Sequence, residues 1–369
     1  MFTKILVPMD GSEVSEAILP SVAYLAKRLD IPVELLSIID PGSAPVAHEA
    51  ATPGIVRYQA RFPFISYAAD ERYYTGNPAQ SARIVTPTVR SQYQYDYADQ
   101  DVKGDKAEEM IEAQKWLDER ASWLEQQGVS VVESKVAAAI GKPSEEIIEY
   151  ADLHSCDLIA MATHDRNLLG QALRGSITNM VIRSSLVPVM AMTPEKQTSS
   201  QDGPVTLSSV LVPLDGSPIA ESVLPYVENL AVRLGLEVVL VQVLGFEETF
   251  PPAGGAAVPQ GEINPQMDTT PEEVAATDAN QYLENVAARL GGMGLNIRWE
   301  VIRGDAAQDI AKLAQRMPDN MIALASHSRS GVSRWVTGSV AEELLRASGD
   351  PVLIISSELA EDEEGRQTP

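Results

Sequence analysis

Short aliphatic runs alternate with longer amphipathic segments along the whole chain. The first run, "TKILVPM", is closed by Asp10-Gly11-Ser12 and reads as a buried strand. Ser12 or a neighbour can then cap a helix through "EVSEAILPSVAYLAKRL", where Ala17, Ile18, Val22, Leu25 and Leu29 stand at helical spacing. Pro20 removes one helical hydrogen bond and is expected to bend that helix. A second strand, "VELLSII", follows at residues 33–39. Further on come a long helix ("EEMIEAQKWLDERASWLEQQG"), a strand ("VSVVESKV"), a short helix ("PSEEIIEYADLH"), a strand ("DLIAMAT"), a loop, a helix and a last strand ("VPVMAM"). Strands that alternate with helices predict a doubly wound, parallel α/β sheet.

The same order is then written a second time. "LVPMDGSEVSEAILP" at residues 6–20 returns as "LVPLDGSPIAESVLP" at 211–225, a separation of 205 residues, with Pro225 at the place of Pro20. "HDRNLLGQALRGSITNMVIR" from His164 returns as "HSRSGVSRWVTGSVAEELLR" from His327, a separation of only 163. The first copy therefore carries 42 more residues between these echoes (205 less 163). The excess falls in residues 41–105, which hold seven of the eleven tyrosines and no leucine. Such a segment cannot build a core of its own, and a surface strap laid over its neighbours is the expectation, with a partner-binding arm as the alternative. The division expected is a first domain over 1–193, a linker over 194–207, a second domain over 208–358 and an acidic tail over 359–369.

Composition narrows the function. A formal charge of −24 argues against a nucleic-acid or anionic-membrane surface, since both need local positive potential. A small anionic ligand stays compatible with it, because helix N-termini and backbone amides hold phosphates without side-chain charge. No apolar run approaches a membrane span, and "MFTKILVPMDG" meets an acid too soon for a signal peptide. With Cys156 as the one cysteine, a cytoplasmic protein without an internal disulfide is expected. His164 and His327 are each alone, and no phosphate-binding loop, dinucleotide fingerprint or nucleophile elbow occurs.

The duplicated "VPMDGS" and "VPLDGS", the "GKP" and "RGD" before the short helix, and the two blocks running from histidine through Gly-Ser to the last strand resemble tandem universal stress proteins, two UspA-type domains in one chain. The resemblance covers nearly everything except residues 41–105, the linker and the tail. It implies two Rossmann-like, adenine nucleotide alpha hydrolase-like domains, each a doubly wound sheet of five parallel strands. It also implies a stress-response module with ATP as cofactor and Mg as the ion that accompanies it. Family members commonly dimerise through their last strands. Here the apolar edge strands "VPVMAM" and "DPVLIIS" are expected to pair within one chain as a pseudo-dimer, because tandem linkage supplies the partner at high effective concentration. A further homodimer is not readable from the sequence.

Nucleotide-binding relatives resemble one another in a loop written Gly-x-x-Gly, nine residues, then Gly-Ser or Gly-Thr. Glycines admit a close backbone approach, and the closing Gly-Ser opens a helix whose free amides point at phosphate. The matching positions are Ala162, Asp165, Gly175 and Ser176 in the first copy and Ala325, Ser328, Gly338 and Ser339 in the second. Both copies keep the helix start and replace both leading glycines. Ser328 is small and neutral, whereas Asp165 is negative. At about 4 Å from a phosphate, with an effective dielectric near 20, its repulsion is on the order of 4 kcal/mol. Asp10 and Asp215 are implied beside the nucleotide, with the backbone near Ile38 and Val243 at the adenine. The second copy is thus the better expected site. With no evident base to activate water, any hydrolysis is expected to be slow, and the alternative is a protein-interaction scaffold of the same fold that holds no nucleotide.

Overall fold

The computed structural model describes residues 2–39, 105–138, 142–163, 177–194, 205–245, 270–292, 294–326 and 339–356. The expected strap, the acidic tail and most of the expected linker lie outside the described residues.

The first half runs β1 (Ile5–Pro8), α1 (Glu13–Glu16), α2 (Leu19–Leu29), β2 (Val33–Ile39), α3 (Asp105–Gln126), β3 (Val132–Ala138), α4 (Pro143–Leu153), β4 (Leu158–Ala162), α5 (Ile177–Ser184) and β5 (Val189–Met192). The second repeats it as β6 (Ser209–Pro213), α6 (Pro218–Glu221), α7 (Leu224–Leu234), β7 (Glu237–Leu244), α8 (Pro271–Gly291), β8 (Ile297–Arg303), α9 (Ala306–Gln315), β9 (Asn320–Ser326), α10 (Ser339–Ala347) and β10 (Val352–Ser356). Each half contributes five parallel strands. The two sets join edge to edge into one ten-stranded sheet, in the order β3-β2-β1-β4-β5-β10-β9-β6-β7-β8. The single antiparallel ladder among its described strands is the seam, where Leu353 of β10 lies opposite Met190 of β5. The expected pairing of the last strands is thus present within the chain.

The helix expected to bend at Pro20 is instead divided. A turn at Ala17 and Ile18 separates α1 from α2, and Pro20 occupies the first turn of α2, as Pro225 does in α7. At that position a missing N–H breaks no internal bond, so the chain starts a new helix there rather than kinking an old one. Ser12 Oγ caps α1 by accepting from the Ser15 amide at 3.1 Å, and Ser217 does the same for Ala220 in α6.

Alternation along the strands splits the core into two layers. On one face Leu35, Leu240 and their neighbours pack under α2, α3, α7 and α8. On the other, Leu36, Val239 and theirs pack under α4, α5, α9 and α10. Both layers cross the seam. The Tyr24 hydroxyl donates to the Leu207 carbonyl at 3.1 Å, the Phe2 and Tyr226 rings stand 5.9 Å apart, and Arg183 meets Glu342 at 2.6 Å. Leu207, at the end of the expected linker, is buried in this core.

Candidate functional site

In each half the strand order reverses beside the first strand: β1 continues outward to β2 on one side and lies against β4 on the other. Open α/β sheets bind ligands in the crevice that such a switch point leaves beyond the carboxyl ends of the strands. The register Leu6 to Ile159 carries Asp10 and Ala162 to the same edge of the first half. Leu211 to Ile322 does so for Asp215 and Ala325 in the second.

The turn after the first strand is built alike twice. Gly11 and Gly216 adopt φ of 77° and 84°, a left-handed turn that a side chain would strain. Asp10 Oδ1 accepts from the Ser12 amide at 3.0 Å and from the Ser12 hydroxyl at 2.5 Å. Asp215 Oδ1 accepts from the Ser217 amide at 2.9 Å. Asp10 is half-buried and Asp215 exposed. The turns are anchored from behind by equivalent glutamates. Glu16 pairs with Arg120 of α3 at 2.7 Å, and Glu221 accepts from Tyr282 at 3.0 Å while also pairing with Arg289 of α8. Burial, then the Glu221 contact, pushes the Tyr282 hydroxyl above its ordinary range.

Ile38 is buried and Val243 half-buried in the layer beneath α4 and α9, so Ile38 has only its backbone to offer a ligand. The Ala162 carbonyl accepts from Thr178 Oγ1 at 3.4 Å, which ties the end of β4 to the first turn of α5. That helix opens directly after Gly175-Ser176, and α10 opens at Ser339. Asp165, Gly175, Ser176, Ser328 and Gly338 lie outside the described residues. Among the described residues no group of three or more His, Cys, Asp or Glu is arranged to hold a metal ion.

At the opposite end of the first half sits a cluster the sequence reading missed. Glu34, 2% exposed, accepts from the Tyr150 hydroxyl and pairs with Lys4 Nζ at 2.5 Å. Cys156 Sγ lies 4.0 Å from Glu34 Oε2, the oxygen that Lys4 meets, and the His154 ring stacks on Tyr150 at 3.8 Å. Burial first, then the hydrogen bond to Glu34 and its charge, raises the Tyr150 hydroxyl above its ordinary range. Burial pushes the Cys156 thiol up to about 12, although Lys4 pulls it down. For Lys4 burial works downward, but the hydrogen bond and charge of Glu34 outweigh it and raise the amine. A thiol and a phenol so held stay protonated, which suits packing rather than nucleophilic chemistry. A comparison of the copies carries the signal: Lys4, Glu34 and Tyr150 stand where the second half has Ser209, Val239 and Leu313.

A doubly wound α/β sheet written twice, with an aspartate turn beyond the first strand of each half, defines a tandem α/β protein with one switch point in each half. Residues 1–59, 78–192 and 207–356 match the profile of the universal stress protein family, and the chain belongs to that family. Two universal stress proteins of Methanocaldococcus jannaschii are similar to it. One is 24% identical over 156 residues, covering 41% of this chain and 96% of the relative. The other is 23% identical over 155 residues, covering 42% and 85%. Two solved structures share the fold along both halves. A universal stress protein from Archaeoglobus fulgidus matches with a TM-score of 0.61 at 18% identity, covering 96% of this chain and 98% of the other. One from Pseudomonas aeruginosa matches with a TM-score of 0.56 at 14% identity, covering 100% and 98%.

Proposed function

We propose that this universal stress protein holds ATP or a related adenine nucleotide, and holds it better in the second half than in the first. The observation that carries the reading is the switch point between β6 and β9, whose register brings Asp215 and Ala325 to the same edge of the sheet. Asp215 spends one oxygen on the Ser217 amide, and its carboxylate is exposed. Its other oxygen, to which no described residue bonds, suits a ribose hydroxyl, while the amides that open α10 suit phosphate. The preference for the second half comes from charge: Ser328 replaces a glycine without adding any, and Asp165 adds a carboxylate. The role is to hold or sense nucleotide in a stress response, with Mg entering as the nucleotide's own ion.

The test is an ATP titration by calorimetry on three full-length proteins. The parent is expected to bind near one equivalent, the Gly338→Val variant near none with its fold intact, and the Asp165→Gly variant towards two. The gain in the last should shrink at high salt, since the repulsion is screened. Equal occupancy of both halves in the parent would overturn the asymmetry. A flat titration with no nucleotide co-purifying would replace the reading with that of an interaction scaffold.

A further inference from the structure

The sheet ends on β3 and β8, and the two edges are finished differently. The Val33 amide donates to the Val131 carbonyl at 3.0 Å, so the odd-numbered residues of β3 face β2 and the even-numbered ones face outward. Gln114 of α3 covers that outward side: its Oε1 accepts from the Val136 amide and its Nε2 donates to the Ser134 carbonyl, both at 3.2 Å. In β8 the parity is reversed, because the Val238 amide donates to the Asn296 carbonyl at 2.8 Å. The outward backbone groups there belong to Ile297, Trp299, Val301 and Arg303, and no hydrogen bond joins them to a described residue. Trp299 itself is 39% exposed.

We infer that β8 is an interface for a second copy of this chain, paired antiparallel about a two-fold axis at Trp299. An edge strand with free amides and carbonyls is a template for another strand, and charges along it normally prevent the pairing. Here they select a register instead. Outward groups must meet outward groups, so odd residues must lie opposite odd ones. An axis at Arg298 or at Glu300 would set that charge against itself. An axis at Val301 would set Glu300 against Ile302. The axis at Trp299 sets Arg298 opposite the partner's Glu300 twice over and Ile297 opposite the partner's Val301 twice over. The Arg298–Glu300 pairs then occupy the closely spaced, non-hydrogen-bonded positions, where opposite charges on one face help most. Arg298 also meets Glu237 at 3.3 Å within its own chain, whereas Glu300 is exposed and its carboxylate makes no hydrogen bond or ion pair with a described residue. A closed two-fold pairing uses each open edge once, so it gives a dimer and not a filament.

Sedimentation of the full-length protein is expected to show a concentration-dependent dimer. Glu300→Arg should shift it to monomer, as should Arg298→Glu, and the double exchange Arg298→Glu with Glu300→Arg should restore it. In a Cys156→Ser background, Trp299→Cys places two thiols on the axis at a hydrogen-bonded pair. Their Cα separation of about 5.5 Å suits a disulfide, so oxygen or diamide should link the chains in high yield. A protein that stays monomeric into the high micromolar range would overturn the inference. So would a dimer that survives Glu300→Arg with circular dichroism unchanged, or one that fails to cross-link at position 299. None of these outcomes depends on whether nucleotide binds.

Discussion

Glu34 sits where the second half has Val239, and the difference measures what a buried charge requires of its neighbours. Its carboxylate is satisfied by Lys4 and Tyr150, and Lys4 reaches it from a position about one-fifth exposed. Removing one partner of a buried pair leaves the other charge uncompensated, at a cost of about 3–5 kcal/mol. Lys4→Met should fall at the low end of that range, about 3 kcal/mol by urea unfolding, because Tyr150 still donates and Lys4 keeps some water. The triple change Lys4→Ser, Glu34→Val and Tyr150→Leu, which copies the second half, should cost far less than the single change, or nothing. A triple variant as unstable as Lys4→Met would show that the network is more than an isostere of Ser209, Val239 and Leu313. At this scale Asp10 and Asp215 were legible, since each turn is made by the three residues Asp-Gly-Ser themselves. The Glu34 cluster was not, because its contacts join residues 116 and 122 positions apart.

Among the elements, local chemistry decides where helices begin. α8 starts with a reciprocal cap: Thr270 Oγ1 accepts from the Glu273 amide at 3.3 Å, and Glu273 Oε2 accepts from the Thr270 amide at 2.9 Å. Pro271 follows at the first helical position, where its fixed φ helps. Thr270→Ala should cost about 1 kcal/mol, read as a lowered urea midpoint with an unchanged slope. A cost near zero would mean that packing of Leu283, Val286 and Leu290 alone holds the first turn in place. The division of each opening helix at Pro20 and Pro225 was half legible. The sequence announces a disruption there, but whether a proline bends a helix or starts one depends on whether the hydrogen-bond ladder before it is interrupted. Ile18 and Val223 stay near helical φ and ψ without a side-chain cap, so only the three-dimensional chain path marks the break.

Across the molecule the seam between halves combines apolar burial with ion pairing, and burial contributes more. Arg183 and Glu342 are each about one-third exposed, and pairs of that kind contribute about 0–1 kcal/mol. Leu353, 1% exposed on β10 opposite Met190, is a core residue whose truncation typically costs about 2–5 kcal/mol. Glu342→Gln should therefore barely move the unfolding midpoint, while Leu353→Ala should lower it clearly. The reverse ranking would place the seam's stability in its charges.

Alternation of short apolar runs with amphipathic helices was enough to determine, from sequence alone, a parallel doubly wound sheet, its duplication and the turns that carry Asp10 and Asp215. Those features depend on periodicity and on residues within a few positions of one another. The expected pairing of the last strands already implied that the halves meet edge to edge; only the tertiary structure decided its register, the cover that Gln114 gives β3 at one edge, and a β8 at the other to whose outward backbone groups no described residue bonds. It alone also revealed that Glu34 is buried against Tyr150. Strand order and edge exposure arise from contacts between distant segments, whose closeness no local pattern encodes.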